Sequence, residues 1–385
     1  MRERGVDTVS NSAQIGDRVR AARIRLGLTQ EQLAGRAGFA NHQTVSQVEL
    51  GQRDVKALEL MRVAKALHLS MTDLLAEAEP QQALVLWRER PQVDSELKEA
   101  KFLEVWQRYK TVRSAVRQST EFARIPTDQV DLATLDYIGV ARMADQLRKL
   151  LDLGSCPAAS LQEVLESRFG VLVWHDDLGQ DGSAACTRDD VGAAVFINSR
   201  EAPWRRNYDL AHELFHLVTW ESTDVSAFQE DAGFRSQVEK YANAFASNLL
   251  LPAEAVIQEF DARCIENRIK WADLISIARE FHVSTEALLW RLVNLGRMNR
   301  ERVKTLLQDD EFRTQDKAYR RGSWSAPPPF PENYVLAGFL AYSQGIMSRT
   351  RLSGYLDTSL VDLESVLEQY GLTEGDYYSN VVCTC

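Results

Sequence analysis

Residues Tyr208 to Trp220 read YDLAHELFHLVTW and carry two of the six histidines in 385 residues. The stretch is mostly apolar and has the length of a helix. Positions four apart share a helix face, so His212 and His216 present two imidazoles to one point. Glu213 is turned about 100° from His212 and leaves that face. This is the H-E-x-x-H spacing, in which two histidines hold zinc and the glutamate acts on water. Zinc so held acidifies water and polarises a carbonyl, and Glu213 is the group to take the proton and hand it to a leaving amine.

Such a site needs a third ligand. In VEKYANAFASNLLLP, Ala242, Ala246 and Leu249 fall on one inward helix face, and Glu239 lies three residues before Ala242 on the same face. A carboxylate aimed at a core is costly unless it is paired or bound to metal. Glu239 is therefore the expected third ligand. Glu221, Glu230 and Asp231 also stand near, but in a less regular polar connection that reads as solvated loop. Two histidines and one glutamate, with the fourth place left open, make a catalytic arrangement for one Zn2+ per chain.

The segments around these residues resemble the ImmA/IrrE zinc metallopeptidases. YDLAHELFHL followed by VEKYANAFASNLLLP carries the resemblance, preceded by LQEVLESRFGVLVW and AAVFINS and followed by LISIAREFHVSTEALLWRLVNLG. It covers roughly residues 135–300. It implies an α+β zincin-like endopeptidase domain with a small sheet, His212, His216 and Glu239 as ligands, and Glu213 as base. Phe215 departs from the glycine frequent in the family, at a position facing away from the metal. Tyr208, Tyr241, Arg206 and His175 are nearby candidates for stabilising the transition state, each more readily explained as structural. The stretch DGSAAC is either a loop or an edge strand able to hold an extended peptide by strand addition.

The rest of the chain is helical in pattern. Residues 1–13 read as a disordered, polar start with no signal-peptide core. Over residues 14–78, five short helices are punctuated by Gly27, Gly38 and Gly51, and Thr29 with Gln32 has capping-box spacing. Residues 79–134 read as a helical linker whose long helix, from Asp94 to about Arg117, carries the stripe Phe102, Val105, Tyr109, Val112 and Val116. That stripe is a candidate for pairing or for packing on the body. Residues 301–385 read as a helical C-terminal region broken at APPPFPE, with further helices from Glu332, so the whole is mainly α. The helix pair in HVSTEALLWRL looks like a second helix-turn-helix but reads as packing.

The sequence LTQEQLAGRAGFANHQTVSQVELGQ resembles the phage-repressor-like (Xre) helix-turn-helix family. The resemblance implies double-stranded operator DNA as a partner. By position, His42, Gln43, Thr44, Ser46 and Gln47 face the major groove, while Gln30 and Arg53 meet phosphates. Val45 and Val48 read as core. Charge agrees with a small DNA-binding head: residues 11–70 hold nine Lys/Arg against five Asp/Glu, whereas the chain totals −10. Five cysteines make no disulfide framework, and no apolar run has the roughly 20 residues of a membrane helix. A cytoplasmic protein is expected.

Together these point to a homodimeric regulator whose peptidase cuts a repressor or antitoxin in a stress or phage response. The rivals are a transcription factor whose zinc domain only senses a signal or binds a partner, and an antitoxin-like binding protein. Cys383 and Cys385, in the closing CTC, are possible thiolate ligands for the open zinc position.

Overall fold

The computed structural model describes residues 6–69, 71–75, 84–116, 122–127, 129–319 and 326–373. Cys383 and Cys385 lie outside the described residues. The chain divides into two units. One holds the residues up to Leu84 together with Pro91–Val112; the other holds Val85–Arg90 and everything from Arg113 onward.

In the first unit, α1 (Val6–Arg25), α2 (Gln30–Ala37), α3 (His42–Glu49), α4 (Ala57–Ala66) and α5 (Met71–Leu75) surround a core of Val19, Leu33, Val45, Val48, Leu60, Val63, Leu67 and Leu74. Local signals set these helices. Thr29 and Gln32 form the full capping box of α2, and Gly38 ends it at φ 68°. Asn41 caps α3 by accepting from Thr44 N. Gly16 lets α1 approach α3 closely, since a Cβ there would stand 2.4 Å from the carbonyl oxygen of Val48. Within the stretch expected to be disordered, 1–13, the described residues are helical: α1 runs from Val6, and Ser12 Oγ donates to Asp54 Oδ1 at 2.7 Å.

The stretch expected as a linker is shared between the units. Leu86–Trp87 forms β1 of the second unit's sheet, whereas α6 (Ser95–Ala115) lies mostly in the first, where Leu97 and Ala100 pack on the head's core. Phe102, Val105, Tyr109, Val112 and Val116 are buried, so the stripe is not an open pairing face.

The second unit continues with α7 (Tyr137–Leu150), α8 (Leu161–Phe169), β2 (Leu172–Asp176), β3 (Ala184–Arg188), β4 (Ala193–Asn198) and α9 (Pro203–Val218). Then come α10 (Val225–Glu230), α11 (Ala232–Leu250), α12 (Ala253–Arg263), α13 (Trp271–Glu280) and α14 (Thr285–Asn294). The closing helices are α15 (Arg300–Gln308), α16 (Asp310–Tyr319), α17 (Glu332–Ser343), α18 (Arg349–Tyr355) and α19 (Leu363–Glu368). Among the described residues the sheet has four strands in the order β1-β3-β4-β2, with β2 parallel to β4 and the other pairs antiparallel. The DGSAAC stretch thus enters β3, but as an inner strand: β1 pairs along its outer side. The chain is mainly helical, with this small mixed sheet in the second unit, and no described helix is long and apolar enough to cross a membrane.

The last helices are tied to β2 and its neighbour. Trp174 Nε1 donates to the Pro329 carbonyl at 3.0 Å, and Asn333 Nδ2 donates to that of Val171 at 2.8 Å. The second helix pair packs as read: Leu288, Leu289 and Leu292 of α14 are buried, and Arg291 donates to Leu251 O and Asn248 Oδ1.

Candidate metal centre

Pro203 opens α9 at a position where the missing N–H costs nothing. Every residue of α9 from Asp209 to Val218 is buried, because the helix lies beneath β3 and β4 and against α11. The polar groups on it must therefore satisfy one another or bind something. Asp231 caps α11 by accepting from Gly233 N and Phe234 N, which sets the phase of that helix and turns Glu239 toward α9.

His212, His216 and Glu239 converge, with one candidate ligand atom from each inside 4.8 Å of the others. His212 Nε2 lies 3.0 Å from Glu239 Oε2 and 3.3 Å from His216 Nε2; His216 Nε2 lies 3.5 Å from Glu239 Oε1. Ligand atoms held tetrahedrally at about 2.0–2.1 Å from an ion stand about 3.3 Å apart, so this donor set fits a metal. Burial leaves His212 with a pKa of about 4 despite its bond to Glu239, which makes it neutral at pH 7. Burial also pulls Glu239 upward, but its bonds to His212 and His216 outweigh that and hold it at about 2. For His216 the order reverses: burial depresses it, yet the bond to Glu239 and the charges of Glu239 and Glu213 raise it overall. Neutral imidazole and ionised carboxylate are the ligand forms a cation takes.

Glu213 is fully buried, and neither carboxylate oxygen has a hydrogen bond of standard geometry. Burial pushes it up to about 7, against the pull of His216 and of the Cys186 thiol beside it. Asn243 Oδ1 faces His212 Nδ1 at 3.2 Å, the outer bond that fixes a ligand imidazole's orientation.

Sequence reasoning missed Asn243, Cys186, Asp209 and Arg88. Asn243 follows Glu239 by four residues, a signal in its spacing. Asp209 likewise precedes Glu213 by four and is fully buried, bonded to Arg88. Arg88 had no such signal, since it follows the two-residue strand β1, more than a hundred positions earlier. The acids Glu221, Glu230 and Asp231 are absent from the cluster among the described residues.

The other four candidates are engaged or placed elsewhere. Tyr208 donates to the Asn243 carbonyl at 2.8 Å, and Tyr241 donates to that of Leu135. His175 and Arg206 line a separate cavity of about 350 Å³ with Glu166, Asn207, Pro327 and Glu332. There burial raises Glu166 to about 7; Gln162 pulls it down and the charge of Glu332 adds to the rise. A carboxyl raised by folding stabilises the fold at low pH and loses that contribution as pH climbs through about 7. Glu166→Gln is therefore expected to raise the unfolding temperature at pH 8 and change it little at pH 5. Thermal melts at the two pH values check this, and an equal shift at both would contradict it.

In the head, His42, Gln43 and Gln47 are exposed on α3, Thr44 and Ser46 are partly exposed, and Val45 and Val48 are buried. Gln30 and Arg53 have partners within the protein. Gln30 Nε2 donates to Glu49 Oε2 at 2.8 Å, and Arg53 pairs with Glu59 at 2.7 Å and stands over the Phe39 ring.

Residues 166–293 match the family model of the IrrE N-terminal-like domain, Peptidase M78. Residues 19–74 match the helix-turn-helix model. No curated protein matches the chain. In N-to-C order, a DNA-binding domain precedes a metallopeptidase-type domain.

Proposed function

We propose that this chain is a cytoplasmic transcriptional regulator that binds operator DNA as a homodimer and carries a zinc-dependent endopeptidase. Its substrate would be a regulatory protein such as a repressor or antitoxin, cut in a stress or phage response. The observation that carries the peptidase half is the convergence of His212, His216 and Glu239 next to the buried carboxylate of Glu213. A structural metal site has no use for that fourth group.

His212 Nε2, His216 Nε2 and one Glu239 oxygen would hold the zinc. When bound, zinc supplies Lewis acidity toward a peptide carbonyl and toward water. Asn243 keeps the His212 ring in place. Glu213 has no competing hydrogen bond of standard geometry and so is available to take a proton at a carboxylate oxygen and return it to the leaving amine. Metal analysis of the purified protein together with a search for a truncated cellular protein tests this half. Metal-loaded protein with no processed partner would favour the sensor reading.

For the head, Gln43 and Gln47 would read base edges, glutamine to adenine being the favoured pair. His42, Thr44 and Ser46 would lie along the groove, with Gln30 and Arg53 exchanging their present partners for phosphates. The intact protein is expected to prefer an inverted repeat, with affinity falling as salt rises. Gln43→Ala with Gln47→Ala should flatten that preference, each lost contact costing about 1–3 kcal/mol. Gel shifts on operator and random DNA measure it; equal binding by the wild type would sink the operator reading.

A further inference from the structure

The socket that holds Arg88 lies within the residues matched to the peptidase-type domain; Arg88 lies outside that match but in the same compact unit. Asp209 and Asn243 lie inside the matched residues 166–293, on α9 and α11, as does Tyr208, whose ring stands 5.3 Å from the guanidinium. Arg88 bonds Asp209 Oδ1 and stands 3.5 Å from Asn243 Oδ1, the same oxygen that faces His212 Nδ1. Arg205 Nε is also 3.8 Å from Asp209, but Arg205 is far more exposed than Arg88. A buried carboxylate without a cation is strongly unfavourable. Arg88 is therefore the buried cation that the Asp209 carboxylate requires.

The arginine arrives on an extended segment. Leu86 pairs with Cys186 and Trp87 with Ala185; Arg88 N donates to Ala184 O at 3.0 Å, and Ser183 N donates to Glu89 O at 3.1 Å. Residues opposite one another in a ladder point to the same face. The Cys186 thiol lies beside Glu213, so Leu86 and, two residues on, Arg88 also face α9. Residues 86–89 thus hold the outer edge of β3 next to the catalytic helix, in the manner of a peptide bound by strand addition.

We propose that Tyr208, Asp209 and Asn243 form a binding socket for the arginine of an extended peptide laid along β3, and that residues 86–89 are its resident occupant. A peptide partner then enters by displacing the chain's own strand, and an arginine that follows an extended apolar run is its recognition element. The view that such a peptide is cleaved rests on the peptidase reading; its binding does not.

The test uses the full chain carrying Glu213→Gln, so that no cleavage interferes, and a labelled peptide of residues 84–90, LVLWRER. By fluorescence anisotropy, adding Arg88→Ala should tighten peptide binding at least tenfold. Replacing the peptide's first arginine by alanine should weaken it at least tenfold. In the chain without Arg88→Ala, excess peptide should speed deuterium uptake at residues 84–90, a readout that does not depend on the variant folding. Equal binding with and without Arg88→Ala, or uptake unchanged by peptide, would overturn the socket. If the peptide binds as described and no peptide is cleaved when Glu213 is intact, the peptidase reading falls and the socket stands.

Discussion

Glu213→Gln is expected to leave fold and metal content unchanged and to lower peptide-bond cleavage by about 10²–10⁴-fold, the usual contribution of general acid–base catalysis. The substitution suits its surroundings. Glu213 is fully buried, and neither carboxylate oxygen has a standard hydrogen bond to lose. Glutamine has the same shape and never has to ionise in that buried site. The helix-turn-helix match covers residues 19–74, far from Glu213 in sequence, so DNA binding should persist. The cellular substrate should accumulate uncut, and the regulatory output should match that of a deletion of the whole peptidase-type domain. Immunoblots of the substrate alongside a reporter measure both. A mutant that regulates as well as the wild type would make the centre a sensor or scaffold.

The double change His212→Ala with His216→Ala should take metal content from about one zinc per chain to nearly none. Two of the three proposed protein ligands leave at once, and one carboxylate in a partly open position is a weak site. Glu239→Ala should weaken binding without abolishing it, because the two imidazoles stay 3.3 Å apart on α9. Inductively coupled plasma analysis after dialysis reads all three proteins. Full zinc occupancy in the double mutant would end the metal assignment.

Local chemistry explains what could be read in advance. The capping box at Thr29, the glycine stops and the i, i+4 histidines are written within a few residues of where they act. So is the inward phase of Glu239, since Ala242, Ala246 and Leu249 are all fully buried as their spacing required. Non-local pairing explains the rest. The pairing of Leu86 and Trp87 with β3 rests on two ladder positions about a hundred residues apart in sequence, which no periodicity can signal. Ala184–Arg188 follows a polar turn, so its strand was visible only as one of two readings. Asp209 carries no local sign of its burial, because its cation Arg88 comes from a segment 121 residues earlier in the sequence. The stripe on α6 had the right pattern, but pattern alone cannot say whether a partner chain or the protein's own residues cover it.

The way the chain crosses between its units has an evolutionary side. It leaves the first unit after Leu84, gives six residues to the second, returns for Pro91–Val112, and then crosses for good. Heads and enzymes joined by one simple tether can be shuffled between genes at a single junction. Here a junction near residue 79 would strand Leu97 and Ala100 of α6 away from the core they complete. A junction after Val112 would carry β1 off with the wrong module and leave Asp209 without Arg88. An exchange at either of these points thus damages one half or the other.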